Sequence, residues 1–226
     1  MYQDTYEDGK MLEFMGVDLK DADDSKAKYR YKGIYDNSIL CQDCDTGVLN
    51  EFDNYAARIL YGYEKQDLNI KVYRQNDGVE YRVAKPVDYT LFKLFLLSIL
   101  WRASVSKLDQ FTQVDLGPHE DRIRQMILNK DPKSVEDYPI VMMHYTVKSE
   151  VARSVISFFI RYKSRACHYY VTLIGGVMYM YYMTDRCIAR GFLKMGIQPN
   201  NTLSFIHSPT QGMEWIVKYF ESKIRK

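Results

Sequence analysis

The closest cysteine pair in the chain is Cys41 and Cys44, inside the run ILCQDCDTGVLNEFDNYAARILY from Ile39 to Tyr61. Two intervening residues let the chain turn back, so that both thiolates can reach one tetrahedral ion. Zinc takes four ligands, so this pair supplies half a site. No second Cys-x-x-Cys follows at the roughly 15 to 20 residues typical of a paired zinc pattern. The remaining cysteines, Cys167 and Cys187, lie far downstream. The pair has two other readings: reduced thiols in a tight turn, and a redox couple. A redox couple belongs between a strand and a helix of a βαβ unit, and the flanks here differ.

Other side chains with chemical potential are scattered. His119 stands beside Glu120 in the first turn of an expected helix. It reads as an exposed residue, a metal ligand or a general base. Cys167, His168 and Cys187 flank an expected hairpin. The two cysteines can approach each other there, or complete the Cys41/Cys44 site. A catalytic site gathered from His119, Glu120, His144, Cys167 and His168 is a further option. The acidic run Asp18, Asp21, Asp23 and Asp24 does not follow calcium-loop spacing and reads as a solvated loop. No G-x-S-x-G, P-loop, H-E-x-x-H or strand-linked G-x-G-x-x-G occurs, so the enzyme classes marked by those motifs gain no support.

The elements that must position these residues follow from periodicity and punctuation. Val48, Phe52, Tyr55, Ala56, Ile59 and Leu60 fall on one helical face after the cysteines, with Asn50 as the expected cap and Gly62 as the stop. Ile70–Arg74 and Val79–Ala84 flank Asn76-Asp77-Gly78, a hairpin signal. Ile70, Val72, Tyr81 and Val83 are expected on one face of that ribbon, with Lys71, Glu80 and Arg82 on the other. Asp88 then caps a helix to about Ser104 that is apolar around its whole circumference, as a core helix is. Leu116 to Lys130 reads as the next helix, with Gly117 as cap, Pro118 at its first position, and Ile123, Met126 and Ile127 inward.

From Pro139 the pattern changes to strands: Ile140–Val147, Ser154–Tyr162, the hairpin 168–183 and Thr202–Ile206. A two-residue Gly175-Gly176 loop would set Ile174 opposite Val177, Tyr170 opposite Tyr181 and Tyr169 opposite Tyr182. Both hairpin faces are then apolar or aromatic. It is either a covered core hairpin or an exposed tyrosine platform of the kind that stacks bases. A last helix after Ser208-Pro209 turns Met213, Ile216, Val217, Phe220 and Ile224 inward.

The expected fold is therefore α+β. An N-terminal knuckle, helix and hairpin region (1–86) is followed by a helical layer, a mainly antiparallel sheet and a terminal helix (87–226), all as one folding unit.

The length of 226 residues suits one sizeable domain, and 46% hydrophobic with 27% charged residues is ordinary for a globular chain. The net charge of +2 gives no broad pull toward nucleic acid. Four cysteines do not make a disulfide scaffold, and the acidic, polar first twenty residues do not read as a signal peptide. A reducing cytoplasm is the expected setting. Neither Leu94–Trp101 nor Ala166–Met183 reads as a membrane span: the first is too short and the second is broken by Gly175-Gly176.

The stretch GIYDNSILCQDCD with the EFDNYA helix, FLLSILWRASVS at 95–106 and VDLGPHEDRIRQMIL at 114–128 resembles an uncharacterised bacterial family of HNH-like (His-Me finger-like) proteins. The resemblance covers about residues 30 to 130. It implies that Cys41 and Cys44 are the second half of a structural zinc site. That family also carries an N-terminal Cys-x-x-Cys and a Ser-His-Ile-Ile-Pro stretch, and neither occurs here. No residue matches its catalytic histidine, so no catalytic role is carried over, and the catalytic half is expected to be missing from this chain. The resemblance implies a zinc-binding protein of nucleic-acid processing or phage defence. The alternative is a non-catalytic interaction or regulatory module that binds a protein partner, or a second copy of itself, through the tyrosine-rich hairpin.

Overall fold

The computed structural model describes residues 11–14, 27–30, 36, 38–41, 44–62, 68–74, 80–145, 159–163, 167–174 and 176–208. The run Asp18–Asp24, the Asn76-Asp77-Gly78 turn, Gly175, the first part of the expected strand from Ser154 and the expected terminal helix lie outside the described residues.

The chain is α+β. Two short antiparallel strands come first, β1 (Met11–Phe14) and β2 (Ala27–Arg30). A π turn over Asp45–Leu49 leads into α1 (Asn50–Tyr61). Helical winding thus begins right after Cys44, and Asn50 is an interior helical residue (φ −61°, ψ −36°) rather than the expected cap. Gly62 ends α1 as expected, in the left-handed conformation at φ 67°, with its amide on the Arg58 carbonyl.

The central helix α2 (Tyr89–Val105) starts where Asp88 accepts a hydrogen bond from the Leu91 amide at 2.8 Å. Phe92, Leu94, Leu97 and Leu100 are fully buried, and so are Lys93 and Ser98. α1 packs on one side of α2 and α3 (His119–Leu128) on the other. Arg102 of α2 donates two bonds to the Asp53 carboxylate of α1, at 2.9 and 3.0 Å. This forked geometry fixes the helix pair in angle as well as distance. α3 begins later than expected. Gly117 takes φ 50°, Pro118 stands at the cap position, and His119 opens the helix. Ile123, Met126 and Ile127 are buried as expected.

The helices cover one face of a mixed, mainly antiparallel eight-stranded sheet. Its strands are β3 (Asn69–Arg74), β4 (Glu80–Lys85), β5 (Ile140–Tyr145), β6 (Ile160–Lys163), β7 (His168–Ile174), β8 (Val177–Tyr182), β9 (Gly196–Gln198) and β10 (Thr202–Ser208). The order is β3-β4-β10-β5-β8-β7-β6, with β9 on β10. β10 joins the two halves: it runs antiparallel to β4 and parallel to β5. The 69–85 hairpin is therefore part of the same sheet as the C-terminal strands, not a ribbon of its own. Gly196 sits at φ 95° where β9 meets β5, and a Cβ there would stand 2.1 Å from the Ile140 carbonyl oxygen. Only glycine fits that approach.

The 168–182 hairpin has the expected register, with Ile174, Tyr170 and Tyr169 opposite Val177, Tyr181 and Tyr182. The 69–85 hairpin does not. Val72 pairs with Arg82 and Tyr73 with Tyr81, one step away from the expected alternation. Cross-strand partners share a face, so Ile70 and Val72 face the same way as Arg82, and Tyr81 and Val83 face the other way with Lys71. A one-residue slip moves a whole apolar set to the opposite face.

The register divides the C-terminal strands cleanly. Ile140, Met142, Tyr170, Tyr179 and Tyr181 point to the helices and belong to the main core. Val141, Met143, Leu173, Met178 and Met180 point to the far face.

Candidate functional site

Cys41 and Cys44 sit between two anchors. On the upstream side, Asp36 accepts from the Ser38 hydroxyl and amide at 2.6 and 3.0 Å, and from the Ser106 hydroxyl at 2.7 Å. The Lys107 amide adds a fourth, longer bond at 3.3 Å. These bonds, the Ser38 hydroxyl foremost, hold the Asp36 carboxyl well below the usual carboxylate range. They pin the approach to the knuckle onto the C-terminal end of α2. On the downstream side, Leu49 and Phe52 are buried in the core.

Between these anchors the Cys44 amide donates to the Cys41 sulfur at 3.4 Å, and the Asp45 amide donates to the Cys41 carbonyl at 3.1 Å. Cys41 is exposed and Cys44 is half-buried. Two thiols on one turn are the donor type that a structural zinc takes. Among the described residues, no three His, Cys, Asp or Glu side chains gather into a metal-holding group.

Cys167 and Cys187 do approach each other: the Cys167 sulfur stands 3.6 Å from the Cys187 carbonyl oxygen. Burial, together with the Cys187 neighbour, pushes the Cys167 thiol up to about 11. It is held as a thiol at neutral pH, and a thiol is a poor nucleophile and ligand. His168 lies beside Tyr170, with ring centroids 4.9 Å apart, and burial followed by Arg161 and Lys163 lowers its pKa.

His119 contacts Tyr138, Nδ1 to hydroxyl, at 3.1 Å. Burial and then Arg122 lower its pKa. The pair lines a cleft of about 610 Å³ between α3 and the 129–139 loop, with Arg122, Lys133 and Glu136. Lys133 and Tyr138 hold left-handed backbone there, at φ 54° and 55°. Glu120 accepts from the Ser104 hydroxyl at 2.5 Å and so ties α3 to α2.

His144 is elsewhere. It stacks on His207 of β10, Nδ1 to Nδ1 at 3.1 Å, beside Arg82 and Glu80. Register places it opposite Val177, which faces Ile174 at the end of β7 away from His168. Six residues of strand separate the two ends, about 20 Å. One site built from His119, Glu120, His144, Cys167 and His168 does not assemble.

Two features escaped the sequence. The bonds that tie Asp36 to the end of α2 come from Ser106 and Lys107, about 70 residues away in the chain. His207 meets His144 only through the parallel pairing of β10 with β5.

The hairpin tyrosines form a ladder on the far face. Tyr162, Tyr169 and Tyr182 stack across three strands, at centroid spacings of 5.0 and 5.2 Å and interplanar angles of 9° and 25°. Rings stacked this way occupy one another's π faces.

No helix of the described residues is long and apolar enough to cross a membrane. No family model, curated protein or solved structure matches the chain.

Proposed function

We propose that this chain is the structural, zinc-holding part of an HNH-like protein of nucleic-acid processing or phage defence, with Cys41 and Cys44 as two of four zinc ligands. One observation supports it: the Cys44 amide aimed at the Cys41 sulfur at 3.4 Å, on a turn anchored at both ends. Zinc bound there would brace the segment around Cys41 against α1 and supply no reaction chemistry. The other two ligands would come from outside the described residues or from another molecule. The nucleic-acid role rests on the resemblance of residues 30 to 130.

Metal content by elemental mass spectrometry tests the site. About one zinc per chain or per chain pair is expected, and Cys41→Ser with Cys44→Ser should remove it. A folded, reduced protein without zinc rules the site out. A salt-dependent mobility shift on DNA or RNA tests the second half of the reading.

The tyrosine ladder favours a second reading, a protein-interaction module. Bases stack on open ring faces, and here Tyr169 is sandwiched between Tyr162 and Tyr182. Tyr162 at the end of the ladder is the exposed member, and tyrosine, apolar on its body and polar at its tip, suits a protein partner. A stable oligomer in light scattering, dispersed by Tyr162→Ser, supports this reading.

A further inference from the structure

Cys167 and Cys187 sit at the open end of the 168–182 hairpin. Pairing there does not stop at Tyr169 and Tyr182, because the Met183 amide donates to the His168 carbonyl at 3.1 Å. The chain then turns back on itself. The Thr184 hydroxyl accepts from the Arg186 amide at 3.3 Å, and the Thr184 carbonyl accepts from the Cys187 amide at 3.3 Å. That turn carries Cys187 to Cys167, whose sulfur stands 3.6 Å from the Cys187 carbonyl oxygen. The Cys187 side chain also lies within hydrogen-bonding reach of the Cys167 thiol. Both residues are thiols in this structure, and both are half-buried. The same turn has a second role. Met183, Thr184 and Asp185 form one wall of the cleft that His119 and Tyr138 line from the other side.

We propose that Cys167 and Cys187 are a reversible disulfide site, closed by exchange with a low-molecular-weight disulfide, and that the closed bond pins the Met183–Asp185 wall of the cleft to β7. The Cys187 thiolate attacks one sulfur of the small disulfide, whose S–S bond breaks, and one half leaves as a thiolate. Cys167 then gives up its proton and attacks the Cys187 sulfur of the mixed disulfide. The second half leaves as a thiolate, and the two leaving groups take up the two protons that the cysteines lost. Two cysteine thiols are oxidised and one small disulfide is reduced to two thiols, so no further oxidant is needed. Cys167 is kept as the thiol, which makes it the second and slower attacker. The β7–β8 ladder already closes the chain between the two cysteines. The new bond therefore acts on the turn after β8 rather than on the strands. An excess of small thiol reverses the exchange and opens the bond. The inference is independent of the zinc reading.

The test incubates the full chain with oxidised glutathione, digests it without reductant and maps the cysteines by mass spectrometry. A glutathione adduct on Cys187 should appear first. It should give way to a peptide pair joined through Cys167 and Cys187, which dithiothreitol separates. Cys167→Ser should stop the reaction at the adduct. In the closed form, amide hydrogen exchange over residues 183–188 should slow about tenfold and recover on reduction, while α2 stays unchanged. A wild-type chain that stays unmodified or stops at the adduct overturns the proposal. So does one that joins Cys167 or Cys187 to Cys41 or Cys44 instead. Unchanged amide exchange over 183–188 in the closed form overturns the hold on the cleft wall.

Discussion

The central helix α2 and the edge strand β3 are both rich in apolar residues, and the molecule uses them in opposite ways. Of the seventeen residues of α2, eleven are buried, including a lysine. All six residues of β3 are exposed, including Ile70 at 53% and Val72 at 55%. Position separates the two. α2 lies between α1, α3 and the sheet, whereas β3 has a strand on one side only and no described helix over it. The same isoleucine or leucine is therefore worth very different amounts in the two places.

The largest expected effect lies in α2. Leu97 is 0% exposed at the centre of the helix layer. Leu97→Asp leaves a carboxylate with no solvent and no partner, a cost of several kcal/mol or more. That rivals the whole stability of a typical domain, roughly 5 to 15 kcal/mol. The variant should be unfolded or insoluble, as read by circular dichroism and urea titration. A folded variant with near-normal stability would show that α2 is not central.

Lys93 sharpens the contrast because it is a charge that α2 buries successfully. Its ammonium donates to the Ser134 carbonyl and the Tyr89 hydroxyl. Burial lowers its pKa from the ordinary 10.5 to about 8, although Asp137, Glu136 and Asp131 pull the other way. Below about pH 8 the folded and unfolded states both carry the proton, so the full cost of the buried charge is present. Between there and the unfolded value the unfolded chain binds more protons, so stability rises with pH. Wild type should gain on Lys93→Met by up to roughly 3 kcal/mol across that window. Urea midpoints of both proteins at several pH values measure it. A difference that stays flat with pH would mean that Lys93 is solvated in the folded protein.

Legibility in the sequence follows the same division between local and distant causes. α2 was legible because Asp88 marks its start and its apolar residues run around the whole cylinder. The 168–182 hairpin was legible to the residue because a two-residue loop sets the register on the spot. The 69–85 hairpin was misread by one step, since five residues separate Arg74 from its partner Glu80 and the turn signal does not fix the register. β9 and the placement of β10 between β4 and β5 depend on contacts far apart in the chain, which no local pattern encodes. At the candidate site, the Cys41–Cys44 turn followed from spacing. The fourfold grip on Asp36 did not, because Ser106 and Lys107 reach it from the end of another helix.

The smallest expected effect lies at the other pole of the comparison. Ile70→Thr on β3 keeps the β-branched shape that strands favour and removes apolar surface that is already half in water. Ile70 faces Ala84 across the ladder, which offers little side chain to lose contact with. The change in stability should be within about 0.5 kcal/mol, the usual range for surface substitutions. Urea titration of Ile70→Thr beside wild type decides it. A loss of about 2 kcal/mol, the scale of a buried side chain, would mean that β3 is covered in solution. The edge strand would then be an interface, and its edge facing away from β4 would be the place to look for the partner.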